Sequence, residues 1–302
     1  MNIQPPFLKD NATIGMVCPA GFMPLDKVQN CIKAFEERGY TIKTGRTVGH
    51  QFHYFAGTDD ERQEDLQTML DDDSIDAILF GRGGYGVSRI IDRINFDKFV
   101  QNPKWLIGFS DITVLHAHIH QRYGIQTIHA PMAAAFNDAL KPNPYTESLF
   151  KVLKGEAISY TTDAYPLNKN GNAGGQLIGG NLTMITHLVG SVSEYDTKGK
   201  ILFIEDVGEY LYNIDRMLYQ LKRSGALQHL AGLIVGGFTD MKDTTTPFGS
   251  SIEQIIYQHI KDYHYPVCFH FPVSHATDNY ALIIGANYTL NVEERVRLES
   301  VN

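Results

Sequence analysis
The sequence predicts an α/β protein, with a parallel-sheet N-terminal domain over residues 1–165 and a smaller α/β C-terminal domain over residues 166–302. Three observations predict it. Short apolar runs alternate with helical patterns through the first half, and such alternation builds a parallel sheet with helices on both faces. The runs stop at corners rich in glycine or proline. After about residue 140 the character changes: Lys141-Pro142-Asn143-Pro144 reads as a turn, and Leu167 to Gly175, polar and rich in Gly and Asn, reads as a linker.

The elements follow in order. Thr13 to Cys18 is a strand ended by Pro19-Ala20-Gly21, and a helix from Leu25 to Glu37 stops before Gly39. Thr41 to Thr44 is a second strand. Asp59 to Leu70 is a helix opening with acidic residues at its positive end. Asp76 to Phe80 is a buried strand running into Gly81-Arg82-Gly83-Gly84-Tyr85-Gly86. Trp105 to Phe109 leads into Ser110, and Gln126 to His129 ends before Ala130-Pro131. In the second half, Gly179-Gly180-Asn181-Leu182 opens a helix through Leu188, and a strand spans Lys200 to Glu205. A helix from Asn213 to Ser224, a strand from Gly232 to Val235, a helix from Ser251 to Tyr263 and short strands complete the chain. Functional groups in parallel sheets gather at the carboxyl ends of strands. The Pro-Ala-Gly corner, the glycine-rich turn, Ser110 and the His129-Ala130-Pro131 corner should therefore share one sheet edge.

Composition removes several classes of function. Hydrophobic residues make up 43% and charged residues 20%, as in ordinary globular proteins. The net charge of −8, with no run of Lys and Arg, argues against a nucleic-acid partner. The first ten residues have neither the basic nor the apolar region of a secretory signal. No apolar stretch approaches the roughly 20 residues that span a bilayer, so no membrane partner is expected. Cys18, Cys31 and Cys268 are far apart and lack metal-ligand spacing, which reads as buried free thiols in a reducing cytoplasm.

Chemistry concentrates at Gly108-Phe109-Ser110-Asp111-Ile112-Thr113, where a strand meets a helix. A serine there lies beside free backbone N–H groups and the positive end of a dipole, as a nucleophile with an oxyanion hole requires. Serine before a helix is also an ordinary N-cap. A nucleophile needs a base. His116, His118 and His120 spread around the following helix, and His116 with His120 has metal-type spacing but no accompanying third ligand. His275 lies in a polar loop, Ser274-His275-Ala276-Thr277-Asp278-Asn279, after a strand. The strand ending in Glu205-Asp206 offers a carboxylate to orient it, and strand alternation points the two side chains to opposite sides. Gly81-x-Gly83-x-x-Gly86 also fits the spacing of a dinucleotide loop, but no acidic residue closes a following strand about 20 residues on.

Taken in order, Cys18-Pro19-Ala20-Gly21, Phe55-Ala56-Gly57-Thr58-Asp59-Asp60-Glu61-Arg62, Arg82-Gly83-Gly84-Tyr85-Gly86, Gly108 to Thr113, Gly179-Gly180-Asn181-Leu182, Glu205-Asp206-Val207-Gly208-Glu209 and His275 resemble the serine L,D-carboxypeptidases. That family includes murein tetrapeptide carboxypeptidases and microcin C self-immunity peptidases. The resemblance spans nearly the whole chain. It implies a flavodoxin-like, class I glutamine amidotransferase-like N-terminal domain. It also implies a triad of Ser110 as nucleophile, Glu205 as orienting carboxylate and His275 as base. The oxyanion hole is expected from the backbone N–H of Asp111 with Gly83 or Gly84. Arg82 and the backbone around Asn181 are candidates for substrate binding. The resemblance calls for no metal and no cofactor, and implies a cytoplasmic homodimer that removes D-alanine from murein tetrapeptides during peptidoglycan recycling.

One departure stands out: the family often has Gly before the histidine, where this chain has Ser274, while Asn279 and Gly285 fit. The corner also lacks the Gly-x-Ser-x-Gly pattern of a hydrolase elbow. Two other readings remain. A peptidase for peptidyl- or aminoacyl-nucleotides would carry a longer, aromatic-bearing insertion, whereas the loop between Tyr210 and Asn213 is short and the single tryptophan, Trp105, falls in a strand. A catalytically silent small-molecule-binding protein would have no need of Ser110, Glu205 and His275 together.

Overall fold
Two sheets organise the chain, which the computed structural model describes over residues 2–137 and 143–301. In the first, β1 (Thr13–Val17), β2 (Thr41–Thr44), β3 (Ala77–Phe80), β4 (Trp105–Gly108) and β5 (Thr127–His129) run parallel in the order β5-β4-β3-β1-β2. Every residue of β3, β4 and β5 is buried, as strands covered on both faces must be. The connections carry α1 (Gln29–Glu36), α2 (Asp59–Asp71), α3 (Val87–Ile90), α4 (Asp97–Gln101) and α5 (Thr113–Tyr123). Thr58 and Glu61 form a capping box that starts α2, and Gly124, at φ 64°, ends α5. Of the turn expected at residues 141–144, Lys141 and Pro142 lie outside the described residues. Asn143 instead caps α6 (Pro144–Leu153), accepting from Tyr145 and Thr146 N–H, with proline at the first helical position.

The second sheet contains β6 (Ser159–Asp163), β7 (Gly171–Asn181), β8 (Ile201–Val207), β9 (Gly232–Thr239) and β10 (Val267–Cys268), with β12 (Asn287–Val292) and β13 (Arg295–Ser300). Its order is β10-β9-β8-β7-β12-β13-β6, parallel from β10 to β7 and antiparallel beyond. Helices α7 (Leu182–His187), α8 (Leu211–Arg223) and α9 (Ile252–Ile260) connect its parallel strands.

Two expectations are corrected here. Leu167 to Gly175 is not a linker throughout, because Gly171–Gln176 pairs residue for residue with β12. Its glycines suit close approach: a Cβ on Gly175 would lie 2.7 Å from the Gly199 carbonyl. The chain divides into two compact units, residues 1–156 with 280–283, and the smaller 157–279 with 284–302. The expected division at 165/166 assigned Ser159–Asp163 to the first domain, whereas that strand pairs with β13 in the second sheet. Conversely, β11 (Leu282–Ile284) joins the first sheet beside β5.

Candidate active site
The first unit gathers its candidate residues where β1, β3, β4 and β5 end. Ser110 follows β4 and opens a short 3-10 turn, Ser110–Ile112, leading into α5. Its φ is +66°, a left-handed conformation that costs a non-glycine residue about 1–3 kcal/mol. Such strain persists only when the surroundings impose it, and here several contacts do. A Cβ on Gly108 would lie within 3.2 Å of Ile112, Met132 and Phe80, so a larger residue there would press on all three side chains. The wholly buried His116 holds the Gly108 carbonyl from α5, at 2.8 Å. A carbonyl only accepts, so Nε2 carries the proton. Burial pushes this imidazole down to about 4. Asp111, also buried, accepts the Val87 N–H at 2.8 Å and so caps α3.

Ser110 therefore does not act as an N-cap: the 3-10 turn begins from Phe109 and α5 from Ile112, each without a capping side chain. The structure has a strained strand-to-helix corner although the Gly-x-Ser-x-Gly pattern is missing.

Against this corner lies the glycine-rich turn. A Cβ on Gly83 would stand 2.8 Å from Ser110 Cβ, 3.1 Å from its Oγ and 3.3 Å from the Asp111 nitrogen. The Gly83 carbonyl accepts from Gly21 N–H at 2.9 Å, and Gly84 has φ +99°. Arg62, not among the expected site residues, ties the loops together. Its fully buried guanidinium donates to the carbonyls of Pro19 (2.6 Å), Gly86 (3.1 Å) and Gly57 (3.2 Å) and pairs with Asp59. The Phe55-to-Arg62 and Cys18-to-Gly21 motifs are thus supports for the glycine turn. Arg82 is exposed and donates to the Phe22 carbonyl at 2.6 Å.

In the second unit, His275 Nδ1 and Glu205 Oε2 meet at 2.6 Å. Glu205 is wholly buried at the end of β8. Burial pushes its carboxyl up, against the hydrogen bond and charge of His275. Burial presses the His275 imidazole down, but the bond to Glu205 and its charge outweigh that and leave it above the ordinary value. Asp206 has other hydrogen-bond partners. It accepts from Asn181 Nδ2 (2.8 Å) and from Thr183 N–H (2.9 Å) and Oγ (2.8 Å) at the start of α7. Asn181 is buried, its Oδ1 accepting from Met184 N–H, so its side chain is engaged in capping α7.

Ser274, the departure from the family pattern, organises the His275 loop. Its Oγ bonds the Asp278 carbonyl at 3.0 Å and accepts the Ala276 N–H at 2.9 Å. Gly237 makes room for it, since a Cβ there would fall 2.5 Å from Ser274 Cβ. All three cysteines are buried, and burial pushes the thiols of Cys18 and Cys268 up to about 12. Among the described residues, no group of three or more His, Cys, Asp or Glu is placed to hold a metal, and no helix is long and apolar enough to cross a membrane.

Comparison with known proteins places the chain in a family. Residues 14–130 match the model of the LD-carboxypeptidase N-terminal domain and residues 174–290 that of its C-terminal domain. A probable murein peptide carboxypeptidase of Bacillus subtilis is 37% identical, over 98% of this chain and 93% of that protein. A murein tetrapeptide carboxypeptidase of Pseudomonas aeruginosa is 30% identical over 92% of each chain. The crystal structure of a muramoyltetrapeptide carboxypeptidase from Oxalobacter formigenes, 25% identical, superposes with a TM-score of 0.88 over 96% of this chain and 99% of the other.

Proposed function
Because this chain belongs to the LD-carboxypeptidase family, we propose that it is a serine enzyme releasing the C-terminal D-alanine of murein tetrapeptides, with Ser110, His275 and Glu205 as its triad. The observation that carries the reading is the strained Ser110 corner with the Gly83 backbone and the Asp111 nitrogen packed against it. The neutral His275, oriented by Glu205, takes the Ser110 proton as Oγ attacks the scissile carbonyl, and Glu205 stabilises the imidazolium that forms. The tetrahedral oxygen is received by backbone N–H groups of Asp111 and Gly84. The Gly83 carbonyl is turned to Gly21, and in a trans peptide the Gly84 N–H points to the opposite side, which supports Gly84 over Gly83 as the second donor. His275 then protonates the departing amine, and water releases the acyl-enzyme. Arg82 and the backbone around Asn181 are assigned to substrate binding. The reading places a homodimer in the cytoplasm, in the recycling of peptidoglycan fragments.

The test is release of D-alanine from L-Ala-γ-D-Glu-diamino acid-D-Ala by the wild type and by Ser110→Ala. Release that disappears in the variant supports the reading. No release by a folded wild type overturns the tetrapeptide assignment and turns attention to peptidyl- or aminoacyl-nucleotide amides.

A further inference from the structure
Tyr54 lies on the shoulder of the glycine turn. A Cβ on Gly84 would stand 2.7 Å from its hydroxyl oxygen. The residue is placed rigidly: Phe52 and Phe55 exchange backbone bonds around it at 2.9 and 3.0 Å, and its carbonyl accepts Phe22 N–H at 3.0 Å. Its ring packs edge-on against Phe55 at 5.4 Å. Yet the side chain is exposed, Tyr54 being 52% accessible, and among the described residues its hydroxyl makes no hydrogen bond. The other tyrosine of the turn, Tyr85, is engaged with Arg89. A held aromatic with a free hydroxyl costs little entropy to bind through.

Arg82 belongs to the same assembly, because its guanidinium binds the carbonyl of Phe22, whose N–H binds Tyr54. Gly83 abuts Ser110 and Gly84 abuts Tyr54. The serine and the phenol therefore border consecutive residues of one turn. We infer that the Tyr54 hydroxyl, together with Arg82, binds the terminal carboxylate of the substrate, an assignment that rests on Ser110 being the nucleophile. The phenol donates one hydrogen bond to one carboxylate oxygen, and Arg82 supplies the charge.

The experiment compares kcat/KM for the murein tetrapeptide and for its C-terminal amide, using wild type and Tyr54→Phe. Tyr54→Phe removes only the hydroxyl. The expected result is a fall of about 10- to 100-fold on the free acid, carried mainly by KM, with the amide changed less than about 2-fold. The wild-type preference for acid over amide then shrinks in the variant. Equal losses on both substrates, or no loss on either, would overturn the assignment while leaving the serine carboxypeptidase reading intact. A wild type that cleaves neither substrate overturns both.

Discussion

His275 Nδ1 and Glu205 Oε2 stand 2.6 Å apart, with Glu205 wholly buried. Two pH effects follow. A base must be neutral to accept a proton, and Glu205 holds the His275 imidazole above its ordinary value of 6.5. Activity should therefore fall as pH drops through a midpoint above 6.5. Glu205→Gln keeps the shape but loses the charge. Its rate should drop by about 10²- to 10⁴-fold, and the midpoint of the residual activity should move to lower pH. A pH–rate profile of kcat/KM for both proteins decides it, and an unmoved acidic limb would count against Glu205 as the partner of the base.

Strain at Ser110 can be measured separately from its chemistry. Ser110→Ala and Ser110→Gly both remove the hydroxyl and should be inactive. Only the glycine variant relaxes the +66° φ, so it should be the more stable of the two by about 1 kcal/mol. Thermal melts of the pair make the comparison; an alanine variant melting at or above the glycine variant would contradict stored strain.

Gly83 is not in a left-handed conformation, so alanine there acts through contact alone. Its methyl would press on Ser110 Cβ at 2.8 Å and displace the serine hydroxyl relative to the Asp111 N–H. Gly83→Ala should lose about 100-fold or more in kcat while its melt shifts by no more than the 1–3 kcal/mol of an overpacked site. Full activity in this variant would show that the turn does not set the position of Ser110.

The thiols provide a check on burial. Cys18 and Cys268 are held protonated up to about 12, and Cys31 is raised further by burial. The native protein should react with none of its three cysteines on the timescale of a thiol-specific reagent, and with all three after denaturation. Rapid labelling of Cys18 in the folded protein would reopen the question of a reactive thiol beside the glycine turn.

Much of this architecture is readable from residues because parallel strands impose it. Apolar runs ending at Cys18, Phe80, Gly108 and His129 had to deliver their corners to one edge. What escapes the sequence is set by distant partners. Gly171–Gly175 has the composition of a loop and becomes a strand because β12 pairs with it. Ser159–Asp163 is polar along its length and is recruited by β13. Arg62 lies on a helix that opens with acidic residues, and its full burial comes from three loop carbonyls. The backbone strain at Ser110 leaves no mark in the local pattern, since glycine precedes it by two positions but isoleucine follows by two.

The return of Leu282–Ile284 to the first sheet sets a schedule for biosynthesis. A nascent chain that has emerged as far as residue 156 holds five of the six strands of that sheet and still lacks the neighbour of β5. At 5–20 residues per second, the missing strand leaves the ribosome roughly 6 to 26 s later. Until then the edge of β5 is open, and open edges recruit foreign strands. Polysomes translating this chain thus carry a transiently unfinished sheet, and a gene fragment encoding only the N-terminal half would keep it unfinished.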